Sequence, residues 1–193
     1  MDIMKIREAQ TQYSAKGQEC INKDYRNLVR VVQQNHLSIS IPNIDYSHAL
    51  YLSEEMFNNA NYSIRILSGK AGDGFLITLA NPFERAAERI ARNKGLVHII
   101  LLNDSVPQIF NNLKEKYGES FQWLLASGPE DINHFITCDS RMLRYEKPHR
   151  PLTPDDDIEA IQADVYFDNT IKTKAVEEYF DVIWNHCSKT TSK

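Results

Sequence analysis

Apolar residues recur along this chain in two rhythms, and the changes between them mark out its elements. Over residues 1 to about 35 the sequence is polar and Gln-rich, with Ile21, Tyr25, Leu28, Val29 and Val32 at helical spacing. The narrow apolar stripe fits an amphipathic helix laid on the domain surface or one that meets a partner or a second copy. Pro42, which has no N–H to donate, and the turn formers Asn43, Asp45 and Ser47 then break the helix. Ala49, Leu52, Met56, Phe57 and Ala60 share one face of a second helix, for which Ser47 is the expected N-cap. Residues 63–68 (SIRILS) read as a strand ending at Gly69, followed by a glycine loop and a helix from Pro82 to about Asn93. The continuous apolar run 97–102 (VHIILL) has the length of an inner strand covered on both faces. A helix follows around 107–117, and then four strand-like segments, FQWLLA, NHFITCD, MLRYE and ADVYF. The clearest helix is the last, 170–187, with Val176, Tyr179, Phe180, Ile183, Trp184 and Cys187 on one stripe and Asn169 or Thr170 as its cap. Helices and strands alternate, strands then cluster, and a long helix closes the chain. This predicts an α/β fold: one domain with a mixed sheet flanked by helices, residues 41–193, behind an N-terminal helical extension over 1–40.

Composition narrows the class without naming a function. The 193 residues are 42% apolar and 25% charged with only seven Gly and seven Pro, which is the range of a globular chain that folds without staples. Cys20, Cys138 and Cys187 are odd in number and never paired as CxxC, so neither a disulfide framework nor a zinc site is indicated, and a reducing, cytoplasmic setting is expected. No apolar stretch reaches the ~20 residues of a membrane span. Net charge is −4, unevenly spread: residues 1–150 hold eighteen Lys and Arg against seventeen Asp and Glu, residues 151–193 four against nine. Such asymmetry can be self-neutralising or can guide a partner's approach.

The candidate chemistry is sparse. The loop GKAGDGF matches neither GxxxxGK[ST] nor GxGxxG, since Gly69, Gly72 and Gly74 are spaced three and two, so an ordinary connection outweighs nucleotide binding. Arg85, Arg89 and Arg92 share one helix face as a basic stripe, open to phosphate contact or to self-pairing with Glu84 and Glu88. A second basic cluster comprises Arg141, Arg144, Lys147, His149 and Arg150, interrupted by Glu146. The six histidines show no ligand spacing, and neither a metal nor a cofactor is expected. The segment after Lys147, with Pro148, Pro151, Pro154 and three successive aspartates, is a loop.

The segment HFITCDSRMLRYE, followed by ADVYF, Asp168, Asn169 and a helix ending EEYFDVIW, resembles the C-terminal half of phospholipase D-like domains; the helix leading into SIRILSG and on to VHIILLND resembles the opening half. The likeness covers about Tyr46 to His186. Active members carry HxKx4D, in which the His attacks a phosphodiester, the Lys holds the phosphate and the Asp tunes the histidine. With Asp139 as the motif's Asp, the Lys position holds His134 and the His position holds Ile132, which cannot be a nucleophile. His98 fails likewise, with Ile100 and Ser105 where Lys and Asp would stand. The resemblance therefore implies a non-enzymatic binding or regulatory module, of a kind whose bacterial relatives suggest stress or defence contexts. Its partner would be a protein, a second copy of the chain or nucleic acid, met by the N-terminal helix and by Arg85, Arg89, Arg92, Arg141, Arg144 and Glu146. The alternative is a diverged phosphodiesterase or nuclease using His134, Asp139 and Arg144, completed by dimerisation. Alternation along MLRYE puts Met142, Arg144 and Glu146 on one face, and Arg144 is expected to bond Asp139 or a helix C-terminus.

Overall fold

The computed structural model describes residues 21–43, 46–69, 75–102, 106–126, 132–148 and 163–190. Residues 1–20 with Cys20, most of the glycine loop (70–74) and the proline and aspartate loop (149–162), which carries His149 and Arg150, lie outside the described residues.

Helix α1 spans Lys23–Gln34, with Asn22 as its cap: the Asn22 Oδ1 accepts the Tyr25 N–H at 2.9 Å. Then come β1 (Ile41–Asn43), α2 (Tyr46–Asn59), β2 (Ser63–Ser68), α3 (Phe75–Thr78), α4 (Ala80–Arg92) and β3 (Leu96–Leu101). The chain continues through α5 (Gln108–Tyr117), a 3-10 turn (Gly118–Ser120), β4 (Phe121–Leu125), β5 (His134–Cys138), β6 (Met142–Glu146), β7 (Ala163–Tyr166) and α6 (Thr170–Thr190).

The described strands form one sheet in the order β1-β7-β6-β5-β2-β3-β4. β2, β3 and β4 run parallel, as strands joined by crossover helices must, while β5, β6, β7 and β1 add on antiparallel. The tight β5–β6 connection turns on Asp139 and Ser140, both left-handed at φ 53° and 52°. The α/β architecture with a mixed sheet flanked by helices is thus present.

Three local readings need correction. The stretch expected only as a break contains β1, an edge strand in which the exposed Pro42 sacrifices no central ladder bond. Helix α2 begins at Tyr46, so Ser47 lies within its first turn rather than at its cap. Helix α4 begins at Ala80 behind the short α3, with Pro82 in its first turn, where a missing N–H has no intrahelical partner to lose. At the far end, α6 reaches Thr190 and is capped by Asn169, whose Oδ1 accepts the Lys172 N–H at 3.0 Å.

Strand alternation divides the core in two. On one face Ile64, Ile66, Val97, Ile99 and Phe121 pack beneath Leu52, Met56 and Phe57 of α2, Phe83 and Ile90 of α4 and Phe110 of α5, and Val29 and Val32 anchor α1 in the same layer. On the other face α6, the one helix there among the described residues, lays Val176, Phe180, Ile183 and Trp184 over Leu67, Ile100, Phe135 and Leu143. Among the described residues no helix is long and apolar enough to cross a membrane.

Candidate functional site

The hairpin β5–β6 carries most of the residues that the sequence pointed to. His134 stands opposite Glu146 and Ile136 opposite Arg144, so all four side chains share the face on which α2 packs. Arg144 and Glu146 are 3% and 4% exposed, and the guanidinium grips the carboxylate with both Nη atoms at 2.6 Å. The Arg144 Nε also donates to the Asn43 Oδ1 at 3.3 Å, and the guanidinium lies 5.4 Å over the Phe75 ring. A buried pair this close satisfies its own charge. Arg144 therefore bonds neither Asp139 nor a helix C-terminus; its partner is two residues away on its own strand.

His134 is buried beside this pair. Its ring comes so near the Gly69 backbone that a Cβ there would fall 2.4 Å from Nε2. The first glycine of the loop is thus explained by a packed imidazole. Asp139 lies at the opposite end of β5, roughly 16 Å along the strand from His134. Its carboxylate accepts three backbone N–H groups, from Asn61 at 2.8 Å, Tyr62 at 2.7 Å and Ser63 at 2.9 Å, and so clamps the turn between α2 and β2. The structure does not bring His134, Asp139 and Arg144 to a common point. Ile132 is partly buried against the α6-side cluster.

The arginines of α4 have separate fates. Arg89 donates from Nε to the Ala60 carbonyl at 2.6 Å and from Nη2 to the Phe57 carbonyl at 2.5 Å, which satisfies the end of α2. Arg92 pairs with Glu88, leaving Arg85 as the exposed cation of the stripe without an ion pair among the described residues. On the second cluster, the Arg141 Nη1 donates to the Phe167 carbonyl at 2.8 Å and holds the entry to α6. Internal bonds thus occupy Arg89, Arg92, Arg141 and Arg144 of the two clusters that the sequence offered to a partner.

Sequence reasoning passed over a different basic face. Lys23, Arg26 and Arg30 of α1 fall at i, i+3 and i+7, all exposed, on the side away from the buried Val32. Arg26 reaches the Ile21 carbonyl at 3.3 Å and lies over the Tyr51 ring, and Arg30 bonds the Asn27 amide oxygen at 3.1 Å. None of the three forms an ion pair among the described residues, and Asp24 is the one acidic residue of the helix. Their spacing was visible in the sequence; that they form no ion pair among the described residues was not. The helix is seated by Val29 and Val32, by the Tyr25 hydroxyl donating to the Pro42 carbonyl at 2.6 Å and by a His36–Asp168 contact at 2.9 Å.

Cys138 is buried at the end of β5, where burial and then the neighbouring Asp139 push its thiol well above the usual range, and Cys187 is buried on α6. Among the described residues no group of three His, Cys, Asp or Glu side chains is placed to hold a metal ion.

No protein-family model matches the sequence, and no curated protein matches it. A solved structure of TrmBL2, described as an archaeal chromatin protein that shows a novel mode of DNA binding, aligns with 94% of this chain at a TM-score of 0.54 and 14% sequence identity. This chain spans 66% of that protein's length. At such identity the likeness is one of fold.

Proposed function

We propose that this chain is a regulatory binding module without hydrolytic chemistry, that its partner is nucleic acid, and that the outer face of α1 makes the contact. The observation that carries this reading is the set Lys23, Arg26 and Arg30, three exposed cations along one helix that form no ion pair among the described residues, whereas Arg89, Arg92, Arg141 and Arg144 of the other clusters are bonded internally. Unneutralised cations at helical spacing suit the phosphate backbone, and the exposed amides of Gln34 and Asn35 suit its rim. The fold shared with a chromatin protein described as DNA-binding supports the choice of partner. A phospholipase D-like kinship belongs to the same proposal and rests on the sequence pattern alone, with a silent motif. The phosphodiesterase alternative has no geometry in its favour: Asp139 is occupied by backbone amides, Arg144 by Glu146, and His134 is buried far from Asp139.

The test is fluorescence anisotropy of a labelled DNA duplex titrated with the full chain across a range of salt. Wild type should bind with a steep salt dependence. Replacing Lys23, Arg26 and Arg30 together by Ala should lower the slope of log K against log salt by about 2–3, the value for three lost phosphate contacts. Arg85→Ala should have a smaller effect. Equal binding by the triple variant, with unchanged circular dichroism, would remove α1 as the contact face.

A further inference from the structure

A second site lies on the opposite side of the sheet from α1, between α6 and the first residues of β2 and β3. Arg65 and His98 are register partners on these parallel strands, and both side chains enter a cleft of about 530 Å³ whose wall is α6. That volume falls within the usual range for small-molecule sites, about 300–1,000 Å³.

A guanidinium in the middle of an inner strand is costly to desolvate, and this one is held by two carboxylates. The Arg65 Nη1 lies 3.1 Å from Glu177 and Nε 3.2 Å from the Asp181 Oδ1, and Glu177 is itself fixed by the Thr137 hydroxyl at 3.0 Å and the Ser140 hydroxyl at 2.6 Å. The second Nη, with two N–H donors, has no partner among the described residues. His98 lies flat on Trp184, ring centroids 4.2 Å apart and planes 10° apart, and both residues line the cleft. Burial, and then Arg65, lower its pKa, which leaves a neutral ring with one donor and one acceptor.

The rim adds an aromatic surface and a cation. Tyr62 is 64% exposed and Leu96 47%. Lys94 sits beside them in a left-handed turn at φ 58°, exposed and without an ion pair among the described residues. The turn passes close to the neighbouring strand at Gly95, where a Cβ would fall 2.0 Å from the Tyr62 carbonyl oxygen. The mouth of the cleft therefore offers Lys94 beside an exposed aromatic and aliphatic surface, and the free Nη of Arg65 lies further in.

We propose that this cleft binds a small aromatic anion of mononucleotide size, its anionic group between Lys94 and the free Nη of Arg65 and its ring along Tyr62 and Leu96. The site is independent of the α1 contact face, which lies in the other layer.

The test follows Trp184 fluorescence in the full chain carrying Trp123→Phe, titrated with AMP and UMP. Adenosine supplies the ring without the anion, and inorganic phosphate the anion without the ring. A saturable change with a mononucleotide is expected, about tenfold weaker with either fragment. Lys94→Asn, which tolerates the left-handed turn, should weaken mononucleotide binding about tenfold, and Tyr62→Ala likewise. The Lys23, Arg26 and Arg30 triple variant should bind as wild type does, which separates this site from the proposed DNA face. No saturable change with either mononucleotide overturns the proposal, as does unchanged affinity in Lys94→Asn. Equal affinity for phosphate alone overturns the aromatic part.

Discussion

At the scale of single residues, the side chains that looked most chemical are the ones that hold the fold. Asp139 was legible as a special residue, but its role depends on three amides from residues 61–63 that no local pattern places beside it. Asp139→Ala strands those donors and should cost about 3 kcal/mol of unfolding free energy in urea titration, with Asp139→Asn retaining part of it. Arg144→Met leaves Glu146 charged and buried and should cost about 3–5 kcal/mol, whereas Arg144→Met with Glu146→Leu should cost clearly less than the two singles combined. His98 adds a pH dependence. Because its pKa is lowered in the folded chain, the unfolded chain binds the proton more readily. The stability that His98 contributes is therefore full above about pH 6.5 and lost as pH falls through the folded-state value. His98→Gln should flatten the decline in melting temperature over that interval relative to wild type.

At the scale of elements, the apolar rhythm located most helices and strands to within a residue or two, because a face that must be buried writes itself into the spacing. The exceptions were elements that the rhythm cannot carry. β1 is three residues long, contains a proline and exists because β7 offers a free edge. α3 spans four residues, about one turn. The α4 stripe shows the limit from the other side: spacing placed three arginines on a face, and only the neighbouring α2 decided that one of them is a cap. Arg89→Ala should accordingly lower stability by about 1–3 kcal/mol, since it unbonds two carbonyls, while Arg85→Ala should leave the melting temperature unchanged. Equal melting temperatures for the two variants would show that the α2 terminus does not need the guanidinium.

At the scale of the molecule, one sheet is shared by two unequal layers, with five helices on one face and α6 on the other among the described residues. Trp123 packs with the larger layer and Trp184 with the smaller, so each reports one face. If the sheet couples the layers into one cooperative unit, urea midpoints from fluorescence and far-UV circular dichroism should coincide within each of Trp123→Phe and Trp184→Phe. Separate midpoints would mean that α6 melts on its own. From its sequence alone, the chain determined its class, the register of apolar and polar positions along each element, and the lack of an HxKx4D set, because these depend on residue type and on contacts a few positions apart. Which charges stay free was settled only by tertiary packing. Arg89 and Asp139 meet partners 29 to 32 and 76 to 78 residues away, Arg144 reaches Asn43 across 101 residues besides its local Glu146, and the cleft beside Arg65 exists only because a helix more than a hundred residues downstream crosses that face. Electrostatic neutralisation acts through space over a few ångströms, so a linear pattern records the charges but not their partners.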